Sequence, residues 1–99
     1  MEAVQIYEKA VNRFGAEAQE NMCIEECAEL IQAINKKHRH LPSNIAEEIA
    51  DVEIMLEQLK LINHCPDEVE KIKQDKLFRL TKMLEKGNND ARNDITTTD

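Results

Sequence analysis

Ninety-nine residues suffice for one small domain with a single core and no second one. Twenty acidic against thirteen basic residues give a formal charge of -7, which argues against a nucleic-acid partner, because phosphate backbones are bound by clustered Lys and Arg. With two Gly, two Pro and only Tyr7, Phe14 and Phe78 as aromatics, the chain is poor in strand and turn material and is expected to be all-α with an aliphatic core.

No apolar run approaches the ~20 residues of a membrane span, and the N-terminus lacks a basic-then-apolar signal pattern. A cytoplasmic protein without a membrane partner is expected. Cys23, Cys27 and Cys65 form no Cys-x-x-Cys pair, and Cys23 and Cys27, one helical turn apart, are expected as small core residues.

The first helix is predicted over residues 2 to 14, with Val4, Tyr7, Val11 and Phe14 as a narrow apolar stripe and Gly15 as its stop. The second runs from Glu17 to about Lys37. At about 100° per residue, Cys23, Cys27, Leu30, Ile31 and Ile34 cluster on one side, Glu25 and Glu29 point away from it, and Glu26 sits near its edge. Three carboxylates within one turn repel one another unless a cation joins them.

The run Lys36-Lys37-His38-Arg39-His40 closes this helix ahead of Pro42. Its cations suit a helix C-terminus. A phosphate or dimer contact is the sharper possibility, and His38 and His40 have no acidic partner at ligand spacing. The third helix is predicted from an Asn44 cap, with Glu47 completing a capping box, to about Asn63. Ile45, Ile49, Val52, Leu56 and Leu59 form its apolar arc, and Glu48 falls inside that arc with Asp51 at the margin. A carboxylate buried there unpaired would cost several kcal/mol, so a cation is expected to meet it.

After the break at His64-Cys65-Pro66, Asp67 and Glu70 look like a cap for a fourth helix over Glu68 to Lys86, stopping at Gly87. Its arc of Val69, Ile72, Leu80, Met83 and Leu84 has Lys76 near the centre and Arg79 on the flank. The domain thus spans residues 1–87, and 88–99 is expected to be a disordered polar tail.

A structural explanation of these charges pairs Glu48 and Asp51 with Lys76 and Arg79 as ion pairs that set bundle register. It leaves Glu25, Glu26 and Glu29 as a solvated face. The alternative is a metal site: Glu26 with Glu29, and Glu48 with Asp51, are two i, i+3 clamps, and together they make an all-oxygen set suited to Mg²⁺ or Mn²⁺. A carboxylate di-iron site would want Glu-x-x-His pairs, and none is present. Open coordination positions, with Lys76 and Arg79 to neutralise charge, suggest a phosphate ligand and phosphoanhydride hydrolysis.

Glu25-Glu26-x-x-Glu29, eighteen intervening residues and Glu48-x-x-Asp51, followed by Lys76-x-x-Arg79, resemble the EExxE…ExxD signature of the MazG-like all-α nucleotide pyrophosphohydrolases, over about residues 1 to 86. The resemblance implies a four-helix MazG-like bundle completed by homo-oligomerisation, as dimer or tetramer. It implies Mg²⁺-dependent conversion of a nucleoside triphosphate to monophosphate and pyrophosphate. By it Glu26, Glu29, Glu48 and Asp51 are metal ligands, Glu25 and Glu26 are catalytic, Glu25 as a further ligand or the group that orients or deprotonates water, and Lys76 and Arg79 bind phosphate. Two other readings are a phosphoribosyl-ATP pyrophosphohydrolase, with the same chemistry on another substrate, and a non-enzymatic helical interaction module that offers its acidic face to a partner.

Overall fold

The computed structural model describes residues 1–87 and contains four α-helices and, among these residues, no strand: α1 (Ala3–Phe14), α2 (Ala16–His38), α3 (Ile45–Ile62) and α4 (Pro66–Gly87). The tail expected over 88–99 lies outside the described residues. The chain divides into two compact units at Cys65 and Pro66. The first holds α1, α2 and α3 and the second holds α4.

A reciprocal bond sets the start of α1. The Glu2 N–H donates to Gln5 Oε1 at 2.9 Å while the Gln5 N–H donates to the Glu2 carbonyl at 3.0 Å. Gly15 ends α1 and starts α2: its N–H donates to Val11 O at 2.9 Å and its carbonyl accepts from Gln19 at 3.1 Å. It does so at φ +93° and ψ 150°, a region open to glycine and little else. An added Cβ would meet no atom within 4 Å, so the penalty for filling this position is conformational. Gly15→Ala is expected to lower stability by about 1–3 kcal/mol, read as a lower denaturation midpoint at unchanged slope.

The ends of α2 and α3 share one device. Leu41 N–H reaches back to Lys36 O at 2.8 Å and His40 N–H to Lys37 O at 3.0 Å; Cys65 N–H reaches Lys60 O at 3.0 Å and His64 N–H Leu61 O at 3.2 Å. Each is a Schellman turn, and His40 (φ 60°) and His64 (φ 54°) hold the left-handed position where Gly or Asn is usual. These histidines are thus helix terminators as well as exposed loop residues.

Two expected caps are corrected. Asn44 stands at the N-cap of α3 but makes no side-chain cap bond, and no capping box with Glu47 forms. Its backbone, at φ -108° and ψ 57°, lies outside the extended region from which a cap side chain reaches the first turn. α4 begins at Pro66, not Glu68, so Asp67 lies within its first turn. Proline at the first helical position sacrifices no hydrogen bond and pre-sets φ.

The core of the first unit lies mainly between α2 and α3, with α1 against both. It buries Cys23 and Ala33 of α2 and Val52, Met55 and Gln58 of α3. The expected arcs are corrected by part of a turn. On α2 the packed line runs Cys23, Glu26 and Cys27, Leu30, Ala33, whereas Ile31 is 60% and Ile34 39% exposed. On α3 it runs Glu48, Asp51 and Val52, Met55, Gln58 and Leu59, leaving Ile49 and Leu56 exposed. α3 is apolar on more than one side, and the side facing α2 carries the carboxylates. Along α1 only Tyr7, Ala10 and Val11 are half-buried, while Val4 and Phe14 of the expected stripe stay exposed.

Gln58, 4% exposed, accepts a 2.8 Å hydrogen bond at Oε1 from Gln19 Nε2, tying α3 to α2, and its own amide points to the Met55 sulfur at 3.8 Å. The bond compensates a buried amide that would otherwise be costly.

α4, taken by itself, is held along its surface by Gln74 Nε2 donating to Glu70 at 2.8 Å, the Thr81 hydroxyl donating to Leu77 O at 3.0 Å and Lys82 beside Glu85 at 3.7 Å. Ile72, Leu80, Met83 and Leu84 of its expected arc are exposed.

Candidate active site

The packed line of α2 passes through Glu26, and that of α3 through Glu48 and Asp51, because steps of three and four carry each carboxylate onto the face that holds the apolar residues. All three are half-buried, and Glu29, one turn beyond Glu26, is exposed. Glu26 and Glu29 of α2 thereby come near Glu48 and Asp51 of α3.

Electrostatics ties the four together. Loss of hydration, then the charges of Asp51, Glu29 and Glu48, and a carboxyl–carboxyl hydrogen bond with Glu29 push Glu26 above the usual carboxylate range. Glu48 is raised in the same way by lost hydration, then by Glu29, Asp51 and Glu47, with a hydrogen bond to Asp51. Glu47 is a contributor that sequence reasoning assigned only to capping; it is acidic and adjacent to Glu48, which is the signal that could have found it. Glu25 is exposed and is not among the charges that raise Glu26 or Glu48.

Within the three-helix unit no Lys or Arg pairs with these acids. Its one ion pair is Lys60 with Glu57 at 2.8 Å, along α3. The repulsion is therefore left standing, which is the condition in which a divalent cation would be most strongly stabilising. The donor chemistry is all carboxylate oxygen and fits a hard ion such as Mg²⁺ or Mn²⁺. As placed, the acids are paired across two helices without a closed coordination sphere: among the described residues no three His, Cys, Asp or Glu side chains are grouped tightly enough to hold an ion. Lys76 and Arg79 are exposed on α4, three residues apart and hence on neighbouring positions of one helix surface.

A polar cleft of about 560 Å³ opens beside the acids. Glu29, Gln32 and Lys36 line it from α2, Ser43 and Asn44 from the segment that leads into α3, and Glu48 from the first turn of α3. Its position follows from the Schellman turn at Lys36, which folds the chain back so that residues 42 to 44 cross in front of the last turns of α2.

The cysteines are unpaired, as core residues would be. Burial, then the neighbouring Cys27 charge and a thiol–thiol hydrogen bond, push the Cys23 thiol up, making it a poor nucleophile at neutral pH.

No curated protein and no solved structure matches the chain. The MazG nucleotide pyrophosphohydrolase domain matches residues 14–86, a stretch that leaves out α1 up to Arg13 and takes in α2, α3 and all but the last residue of α4. With the paired carboxylates of α2 and α3 inside that stretch, the chain belongs to the MazG nucleotide pyrophosphohydrolase family.

Proposed function

We propose that the protein is a Mg²⁺-dependent nucleoside triphosphate pyrophosphohydrolase, which converts a ribo- or deoxyribonucleoside triphosphate and water to the monophosphate and pyrophosphate. The observation that carries this reading is the mutually repelling set of Glu26, Glu29, Glu48 and Asp51, drawn from two helices and left without a Lys or Arg partner in their unit. These four would hold Mg²⁺, with Mn²⁺ as a substitute, and the bound ion would polarise phosphoryl oxygens and acidify water. Glu25, exposed on α2 four residues before Glu29, would serve as a further ligand or as the group that orients or deprotonates the attacking water. Lys76 and Arg79 of α4 are assigned as phosphate-binding residues on the family resemblance alone.

The test is incubation with a panel of ribo- and deoxyribonucleoside triphosphates, with Mg²⁺ and with chelator. Pyrophosphate and monophosphate in equal amounts, only with the metal, is the expected result. Orthophosphate as product, or no turnover across the panel, would overturn the reading.

The protein is also proposed to work as a homodimer or homotetramer. Few side chains are buried in the first unit, while Ile24, Ile31 and Ile34 of α2 and Ile49 and Leu56 of α3 remain exposed. A second copy covering them would complete the core. Light scattering at micromolar concentration should give at least twice the mass of the chain; a folded monomer there contradicts the proposal.

A further inference from the structure

We propose that Lys36 is a phosphate-binding residue, which holds the pyrophosphate portion of the substrate in the cleft beside the carboxylates. The inference rests on the function proposed above and adds to it a cation supplied by the same unit that carries the acids.

Lys36 is the cationic side chain lining that cleft, and Glu29 and Glu48 of the carboxylate set line it too. From Glu29 to Lys36 is about 10 Å along the axis of α2. Helical side chains lean toward the N-terminus, so the lysine stem leans toward the acids and shortens that distance. Lys36 is exposed and forms no ion pair among the described residues, which leaves its ammonium available to a ligand. Its backbone is anchored: the carbonyl accepts from Arg39 at 3.1 Å and from Leu41 at 2.8 Å.

The lining identifies the ligand chemistry. Besides Lys36 it offers the carboxamides of Gln32 and Asn44 and the hydroxyl of Ser43, and its apolar part is only Ala33 and Pro42. No aromatic face is present on which a base would stack, whereas an ammonium with amide and hydroxyl donors suits phosphate oxygens. A triphosphate whose reacting end lies at the carboxylates would extend its remaining phosphates toward Lys36.

The test measures pyrophosphate binding by calorimetry in Mg²⁺, together with KM for the triphosphate turned over fastest. Lys36→Met is expected to weaken pyrophosphate binding and raise KM by about tenfold or more, as loss of a charged hydrogen bond does. Lys36→Arg should retain most of the affinity. Lys37→Met, in the same turn but outside the cleft, should behave as wild type. Unchanged pyrophosphate affinity in Lys36→Met overturns the proposal. A variant that melts early at unchanged affinity also overturns it, in favour of a role at the helix C-terminus. Weakened binding of the nucleoside monophosphate alone would do so as well, by placing Lys36 at the nucleoside end. Because pyrophosphate binding is read without turnover, a wild type that binds pyrophosphate but hydrolyses no triphosphate refutes the proposed function and leaves Lys36 standing.

Discussion

Glu48→Gln is expected to reduce triphosphate hydrolysis by roughly a hundredfold or more and to remove most of the stabilisation that Mg²⁺ confers. Loss of groups that merely orient metal ligands already costs roughly 10- to 100-fold, so loss of a ligand's charge has that as its floor. Gln keeps the size of the side chain and one acceptor oxygen, so the packing of α3 against α2 survives. In wild type, Mg²⁺ at ~100 times its dissociation constant stabilises a protein of this size enough to raise the melting temperature by roughly 10–20 °C. In Glu48→Gln the metal-free protein should melt higher than wild type, because the half-buried Glu48 charge no longer opposes Glu29, Asp51 and Glu47. An ion-pair role for Glu48 predicts the reverse: no Mg²⁺ shift in wild type and a less stable Gln variant. Melts of both proteins in Mg²⁺ and in chelator separate the two, and a full Mg²⁺ shift in Glu48→Gln removes Glu48 from the ligand set.

The carboxylate set was legible in the sequence because helical geometry alone converts i, i+3 spacing into a shared face. Glu26 with Glu29 and Glu48 with Asp51 needed only that their segments be helices. The helix limits were legible where a residue acts through its own backbone, at Gly15 and ahead of Pro42, whereas α4 starts at Pro66, two residues before the expected Glu68. Which side of each helix packs was less so. α3 has apolar residues on several sides, and hydropathy ranks Ile49 and Leu56 above Glu48 and Gln58 although the latter two face α2. The Gln19–Gln58 bond was missed because a lone glutamine carries no motif, although Gln58 lies in step with Asp51 and Met55. The left-handed histidines were hidden for a similar reason: a Schellman turn is recognised by glycine, and His40 and His64 take its place.

Acid should stabilise the metal-free protein and weaken the metal-bound one. The groups concerned are Glu26, held above the usual range by lost hydration and then by Asp51, Glu29 and Glu48, and Glu48, held there by lost hydration and then by Glu29, Asp51 and Glu47. A carboxyl that binds its proton more tightly when folded than when unfolded favours the folded state fully below the unfolded value, and that contribution is lost as pH rises through the folded value. Ordinary glutamates titrate near pH ~4.3, so the window runs from about there up through the raised values. In chelator, the melting temperature should therefore rise as pH falls from neutrality through that window. With Mg²⁺ the sign reverses, because ligation needs both carboxylates deprotonated and protons compete with the ion. The Mg²⁺-induced shift should shrink steadily over the same window. The double variant Glu26→Gln, Glu48→Gln isolates the cause, since it removes both titrating groups while Glu29, Asp51 and Glu47 remain. Its metal-free melting temperature should vary less with pH across this range than that of wild type. A double variant that gains stability relative to wild type as pH falls in chelator would show that Glu26 and Glu48 are held as charged groups by a cationic partner within the protein, and the repelling set would then cease to be evidence for a metal site.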